Sequence, residues 1–480
     1  MYISELEPTK VFGYFYELNQ IPRGSSKEKA VSDYVANFAR KLNLKVNQDK
    51  YHNLIISKPA TPGFEKKEPI MLQAHLDMVC EKNADTVHDF EKDPINMYID
   101  GDLLKAQGTT LGADNGIGVA YCMALLSECN AHPPLEIVLT AEEESGMGGA
   151  ENLDMSGVKA RRMLNLDSSD EKMFIMGCAA GTMIDYRLPV KRETAAAGSV
   201  ALNISVKGLT GGHSGADIHR ERGNALCILG HLLGAVNERT DTNVVSVSGG
   251  MKVNAIPREA SAVVVVQGEA LADANAALAS CRDDLLEKFK ATDAGLSLTW
   301  ENGKADANVM SRTCTDNLVA SLLLMPAGVI AMSMELPGLV NSSNNLGFVE
   351  THQEYIKIGA MARGGHKLYT RQTETQVAAL ARVTGAEANF TGRSPAWPYD
   401  PNSALHKQAV EAYKDVFGVE PKTNAIHAGL ECGIFAEKIQ GLDIIAFGPD
   451  IHDLHTPDER VSISSVKRVW EFLLKLMETL

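Results

Sequence analysis

No C-x-x-C pair occurs among the eight cysteines of this 480-residue chain. They are scattered, and Cys122 and Cys227 fall in helix-like apolar patterns, so buried, reduced thiols in a cytoplasmic protein are expected. Residues Met1 to Glu7 hold no basic stretch followed by an apolar one, which gives no sign of a secretory signal. The most apolar window, around Leu322 to Met334, is short and carries Pro326, so no membrane span is expected. Positive charge is in deficit: 46 Lys and Arg stand against 61 Asp and Glu, for a net charge of −15. Nucleic acid and anionic membrane would be repelled by such a chain. Neither glycine-rich phosphate-loop pattern is met, and the absence of H-E-x-x-H argues against a helix-borne single-zinc protease.

What is present is ordinary soluble-protein material, 45% hydrophobic and 22% charged, long enough for two or three domains. Periodicity predicts helices over 8–20, 27–43, 115–128, 402–417 and 463–478. Compact apolar strands are expected at 70–77, 135–140, 162–166 and 442–447. Residues 80–107 read as irregular. Near residue 187 the texture changes to alternating strands, beginning at 199–207, with helices near 222–236, 271–291, 313–325 and 367–384. Residues 391–398 read as a linker. The expected fold class is α/β: a discontinuous catalytic domain (1–186 and 396–480) with a central mixed sheet flanked by helices. An inserted α+β lid domain (187–395) would hold two similar halves.

Five strand-to-loop junctions carry acids or imidazoles. The run from Pro69 ends in His75 and Asp77, two residues apart and so on one side of an extended strand. Asp114 opens an apolar helix. Glu142, Glu143 and Glu144 follow a buried strand directly, and three such acids repel unless a cation is near. Asp167 ends another strand, and His455 lies in a loop after the last. Taken singly, Asp114 reads equally as a helix N-cap and the glutamates as a solvated turn. Taken together, two imidazoles and three or four carboxylates at the carboxyl ends of strands suit a pair of zinc-type divalent ions.

The markers His75-Leu76-Asp77, Gly112 to Gly116, Glu143 to Met147, Asn165 to Asp167, Gly211 to Gly215, Asn254 to Glu259, His427 to Gly433 and His455 to Glu459 stand in a telling order. In them the chain resembles the co-catalytic zinc aminopeptidase, carboxypeptidase and aminoacylase superfamily, and within it the aminoacyl-histidine dipeptidase family, over essentially its whole length. The resemblance implies two Zn2+ per chain, with Co2+ or Mn2+ able to substitute. His75 and Asp167 would hold one ion, Glu144 and His455 the other, and Asp114 would bridge them through a cis Asp114–Asn115 bond. Asp77 would orient His75. Glu143 would be the general base for a metal-bridged hydroxide attacking a dipeptide of the Xaa-His type, β-Ala-His included. His213 would polarise the scissile carbonyl, and Asn254, Arg363 and His427 would contact substrate, although Gly364-Gly365 stand where the family commonly has serines. A cytoplasmic homodimer paired through the lid, with a small peptide as its only other partner, is expected. An N-acyl amino acid deacylase and a broader aminopeptidase or tripeptidase are the alternatives. A metal-free binding protein is the reading from a different class.

Overall fold

The computed structural model describes residues 3–128, 131–304 and 308–480. The chain forms two compact units, one of Met1–Gly177, Tyr399–Ala425 and Leu430–Leu480, the other of Cys178–Pro398 with Ile426–Gly429. Cys80, Cys122, Cys227, Cys281 and Cys314 are free thiols, and Cys129 lies outside the described residues. Among the described residues no helix is long and apolar enough to cross a membrane.

The first unit is built on an eight-stranded mixed sheet. Its order is Lys45–Gln48, Leu54–Lys58, Leu135–Thr140, Ile70–His75, Arg162–Asn165, Asp443–Ala446, Met173–Cys178, Lys422–Ile426. Ile70–His75 runs parallel to both Leu135–Thr140 and Arg162–Asn165, and Asp443–Ala446 runs parallel to the latter. Every residue of Ile70–His75 and of Leu135–Thr140 is buried. Central parallel strands are covered on both faces, which is why these segments read as continuous apolar runs rather than alternating ones. The helix Ala113–Glu128 is buried on nearly all sides and packs on Ile70–His75 and on the helix Thr9–Leu18. A helix apolar all round belongs in an interior. The last helix, Ile463–Thr479, is N-capped by Ser462 and buries Val466, Val469, Phe472, Leu473, Leu476 and Met477. Phe472 stacks on Phe174 and meets Phe447 and Tyr413 edge-on, which anchors the end of the chain.

Residues 80–107 are less irregular than expected. Met97–Asp100 and Leu103–Ala106 form a hairpin about Gly101 and Asp102, and Leu103–Ala106 pairs on with Arg460–Ser462. These strands are short and half exposed, so neither carries an apolar run that a sequence could reveal. The pairing matters because Arg460–Ser462 also pairs with Ile451–His452 and closes the loop that bears His455.

The second unit holds a nine-stranded antiparallel sheet. Its order is Ser297–Gly303, Ser199–Lys207, Ala260–Gln267, Asn243–Gly250, Val340–Thr351, Tyr355–Gly364, Ala180–Pro189, Glu387–Ser394, and Gly328–Met332 also pairs with Val340–Thr351. The helix Ala225–Arg239 supplies Leu226, Leu229, Leu232 and Leu233 to its core. Ala180–Pro189 already lies within this sheet, so the unit begins before the change of texture near residue 187. The segment 391–398 is only partly a linker: Glu387–Ser394 is an edge strand on Ala180–Pro189, with a register shift between Thr391 and Ser394. Gly392, at φ 56°, sits in that irregularity and gave the stretch its linker-like look.

Candidate active site

Three parallel strands end on one edge of the first unit's sheet, where sites form in open α/β folds. Ile70–His75 ends in His75 itself, Leu135–Thr140 runs into Glu143 and Glu144, and Arg162–Asn165 into Asp167. Asp114 enters from the start of the helix Ala113–Glu128, where its own backbone is not helical (φ −81°, ψ 110°) and the Asp114–Asn115 bond is cis. His455, at φ 61°, completes the group from its closed loop.

The Asp114 carboxylate lies between two imidazoles. Its Oδ1 is 3.2 Å from His75 Nε2, and its Oδ2 is 3.3 Å from His455 Nε2. Each imidazole faces a second carboxylate: His75 Nε2 is 3.7 Å from Asp167 Oδ1, and His455 Nε2 is 3.1 Å from Glu144 Oε1. One ligand atom each from His75, Asp114 and Glu144 lies within 4.8 Å of the others. A cavity of about 210 Å3 opens on these side chains and on Glu143.

The electrostatics are those of crowded acids. Burial pushes Asp167 up to about 6, with the Asp114 charge adding to it. Burial also raises Glu143 well above the ordinary carboxylate range, helped by Asp167, Glu431 and Glu144 and opposed by His75. Burial opposes ionisation of Asp114, but hydrogen bonds from His455 and His75 win and hold it far below its usual value. His455 is pushed up to about 10 by the Asp114 and Glu144 carboxylates beside it. Buried Glu144 Oε1 faces His455 without the angles of a hydrogen bond, so its lone pairs lack a full partner. A buried carboxylate oxygen short of donors beside two imidazoles and two more acids is what a divalent cation would satisfy, and the nitrogen and oxygen donors fit one of the zinc type.

A supporting layer fixes this geometry. Asp77, wholly buried, accepts Glu143 N–H (3.0 Å), Glu144 N–H (3.1 Å) and the Ser25 hydroxyl (2.8 Å). Its Oδ1 is 3.4 Å from His75 Nδ1, and a proton there leaves Nε2 as the ligand atom. Asn115 donates to Leu166 O (2.7 Å) and accepts His75 N–H (3.3 Å), tying two strand ends together.

Three contributors were not legible in the sequence as site residues. The Glu459 carboxylate accepts four successive backbone N–H groups, those of Leu111 (2.7 Å), Gly112 (2.9 Å), Ala113 (2.8 Å) and Asp114 (3.2 Å). Arg23, fully buried, grips the same loop from the other side, donating to Gly112 O at 2.5 Å and to Leu76 O and Asp77 O at 3.1 Å each. A Cβ on Gly112, at φ +70°, would stand 2.4 Å from the Arg23 guanidinium. Glu431, at the start of the helix Glu431–Lys438, accepts from Gln73 Nε2 (2.6 Å) and Thr140 Oγ1 (2.7 Å) beneath the site, and burial pushes it up to about 8. Glu459 and Glu431 fall inside quoted motifs, so only their roles were missing. Nothing in the local sequence marks Arg23.

The Glu459 clamp gives a testable expectation. In Glu459→Gln, one amide oxygen replaces a carboxylate, and the NH2 group turns toward N–H donors. Apo stability should fall by about 1–3 kcal/mol, and divalent-metal affinity by roughly 10–100-fold, as for other partners that orient ligands. Denaturant melts and calorimetric zinc titration measure the two effects.

In the second unit, His213 lies on the two-residue strand Gly212–His213, paired with Ala255–Ile256. The neighbouring Asn254 is exposed, and its carbonyl accepts Ser214 N–H at 2.9 Å. Arg363, in Tyr355–Gly364, is 6% exposed, its Nε has no hydrogen-bond partner, and burial pushes it down to about 10. Ser343 lies opposite Arg363 across the strand pair, and its hydroxyl is 2.7 Å from His427 Nε2. Burial and then the Arg363 charge push His427 down to about 3.

Residues 71–479 match the model of peptidase family M20/M25/M40. The chain belongs to this family. It is therefore a hydrolase of peptide bonds, with the α/β catalytic domain and inserted lid domain of that fold class. It is 36% identical to the cytosol non-specific dipeptidase of Escherichia coli, over 99% of this chain and 98% of that one. It is similar in structure to the aminoacylhistidine dipeptidase of Vibrio alginolyticus, with a TM-score of 0.94, 37% identity and coverage of 100% and 98%. The aminopeptidase PepT of Bacillus cereus shares the fold at 14% identity and a TM-score of 0.58, covering 99% of each chain.

Proposed function

We propose that this protein is a di-metal dipeptidase of the cytoplasm that cleaves Xaa-His dipeptides, β-Ala-His included. The observation that carries the reading is the Asp114 carboxylate with one imidazole at each oxygen and a further carboxylate beside each imidazole. His75 and Asp167 would hold one zinc-type ion, Glu144 and His455 the other, and Asp114 both. Such a pair of ions, when bound, supplies Lewis acidity toward the scissile carbonyl and lowers the pKa of the attacking water.

The remaining chemistry falls to side chains. Glu143 takes the proton of the attacking water and delivers it to the leaving amine nitrogen as the C–N bond breaks; the water oxygen stays in the new carboxylate. Asp77 keeps His75 in its ligating orientation. His213 donates to the carbonyl oxygen as negative charge develops there. Arg363 receives the substrate carboxylate, for which a buried guanidinium with no acidic partner among the described residues is suited. Asn254 and His427 complete the substrate contacts. The native assembly is proposed to be a homodimer formed through the second unit, which sedimentation tests.

A broader dipeptidase is the second reading, favoured by the words "non-specific" in the name of the Escherichia coli relative. Metal-stripped protein reloaded with zinc, cobalt or manganese and offered a panel distinguishes the readings. The panel comprises Xaa-His dipeptides, dipeptides without histidine, a tripeptide and N-acetyl amino acids. Turnover of Xaa-His dipeptides well above the rest is expected. Equal turnover of all dipeptides would replace the first reading by the second, and preference for N-acetyl amino acids or the tripeptide would contradict both.

A further inference from the structure

We infer that His213 is held as a neutral imidazole with its proton on Nε2, and that Asp217 is the positioning residue of the turn that holds it so. His213 Nδ1 accepts two backbone N–H groups, from Gly215 and from Ala216, each at 3.2 Å. A ring nitrogen that accepts cannot also carry a proton, so the hydrogen of the neutral ring is on Nε2. Protonating Nδ1 would set a third N–H against two that point at it and would break both bonds. The ring is therefore a hydrogen-bond donor through one atom only. It can stabilise a developing oxyanion, but it is not built to act as a base or a cation.

The turn closes through Asp217. Its Oδ2 accepts His213 N–H at 3.0 Å, and its own N–H donates to His213 O at 2.9 Å. Its Oδ1 is 3.2 Å from Arg220 Nε and 3.7 Å from Arg222 Nη1, and Arg222 donates to Gly211 O at 2.5 Å. On the far side Ser214 N–H is bonded to Asn254 O. A Cβ on Gly215 would stand 2.7 Å from His427 O and 3.1 Å from His213 Cε1, so a side chain there would crowd both the turn and the ring. Partial burial and then the Arg363 charge disfavour the cation of the ring, while Asp217 favours it. The two N–H bonds therefore agree in direction with the stronger electrostatic effects.

This inference rests on the reading of His213 as donor to the scissile carbonyl, but its test does not depend on turnover. Zinc-loaded protein labelled with 15N-histidine is observed by long-range 1H–15N correlation, and the His213 signal is assigned by its loss in His213→Gln. The Nε2–H tautomer is expected, with the ring still neutral at about pH 6, below the pKa near 6.5 of a free imidazole. An Nδ1–H tautomer, or a cationic ring at that pH, would overturn the inference. Asp217→Ala should lower kcat by between about ten- and a hundredfold at nearly unchanged KM and should leave the ring in mixed tautomers. Asp217→Asn, which keeps an acceptor for His213 N–H, should restore the single tautomer and bring kcat back toward wild type. A pure Nε2–H signal in Asp217→Ala would remove Asp217 from the argument. Unchanged kcat in His213→Ala, beside an intact Nε2–H signal in the wild type, would instead sink the reading of His213 as carbonyl donor.

Discussion

Glu143→Ala, loaded with zinc, is expected to bind a dipeptide with little change and to cleave it about a hundred- to ten-thousand-fold more slowly, the usual contribution of a positioned general base. Two features single out this glutamate among the acids of the site. Its main-chain N–H is fixed on Asp77 Oδ1, yet its side chain is not one of those set against an imidazole. Burial and three neighbouring negative charges raise its proton affinity, the property of a group that must accept a proton and later release it. The contrast with its neighbour is the informative part. Glu144→Ala should lose metal as well as turnover, because Glu144 faces His455 at 3.1 Å. Steady-state kinetics with metal analysis of both variants separates base from ligand, and near-normal kcat in Glu143→Ala would remove it from the mechanism.

Asp114→Ala is expected to have the largest effect on the site itself. Both imidazoles meet on this one carboxylate, so its loss should leave at most one weakly held ion per chain where the wild type holds two. Activity should fall below detection in a continuous assay, since an isolated ion cannot clamp both the attacking and the carbonyl oxygen. The fold should survive, because the loop is gripped independently by Glu459 and Arg23. Metal content by mass spectrometry, with the circular dichroism spectrum as control, measures this. Two tightly bound ions in Asp114→Ala would mean that the bridging role belongs elsewhere.

The residues that could be read in advance are those whose chemistry is announced by local pattern. His75, the paired glutamates and Asp167 each follow a buried apolar strand, and a charged side chain at such an end has few structural uses. Asp114 was ambiguous because a helix N-cap has the same appearance, and only its non-helical backbone between two imidazoles separates the cases. Arg23 could not be read at all, because its function is set by carbonyls more than fifty residues away. Glu459 meets its four N–H partners across some 345 residues. The same limit applied to the fold. The hairpin 97–106 is too short and too exposed to show a period, and the edge strand Glu387–Ser394 was hidden by the Thr-Gly-Arg-Ser-Pro composition of its end.

Anomalous diffraction from a crystal grown with zinc bears most directly on the arrangement proposed here. Two peaks are expected on either side of the Asp114 carboxylate, one against His75 and Asp167, the other against Glu144 and His455. A single peak, or zinc held away from Asp114, would contradict it.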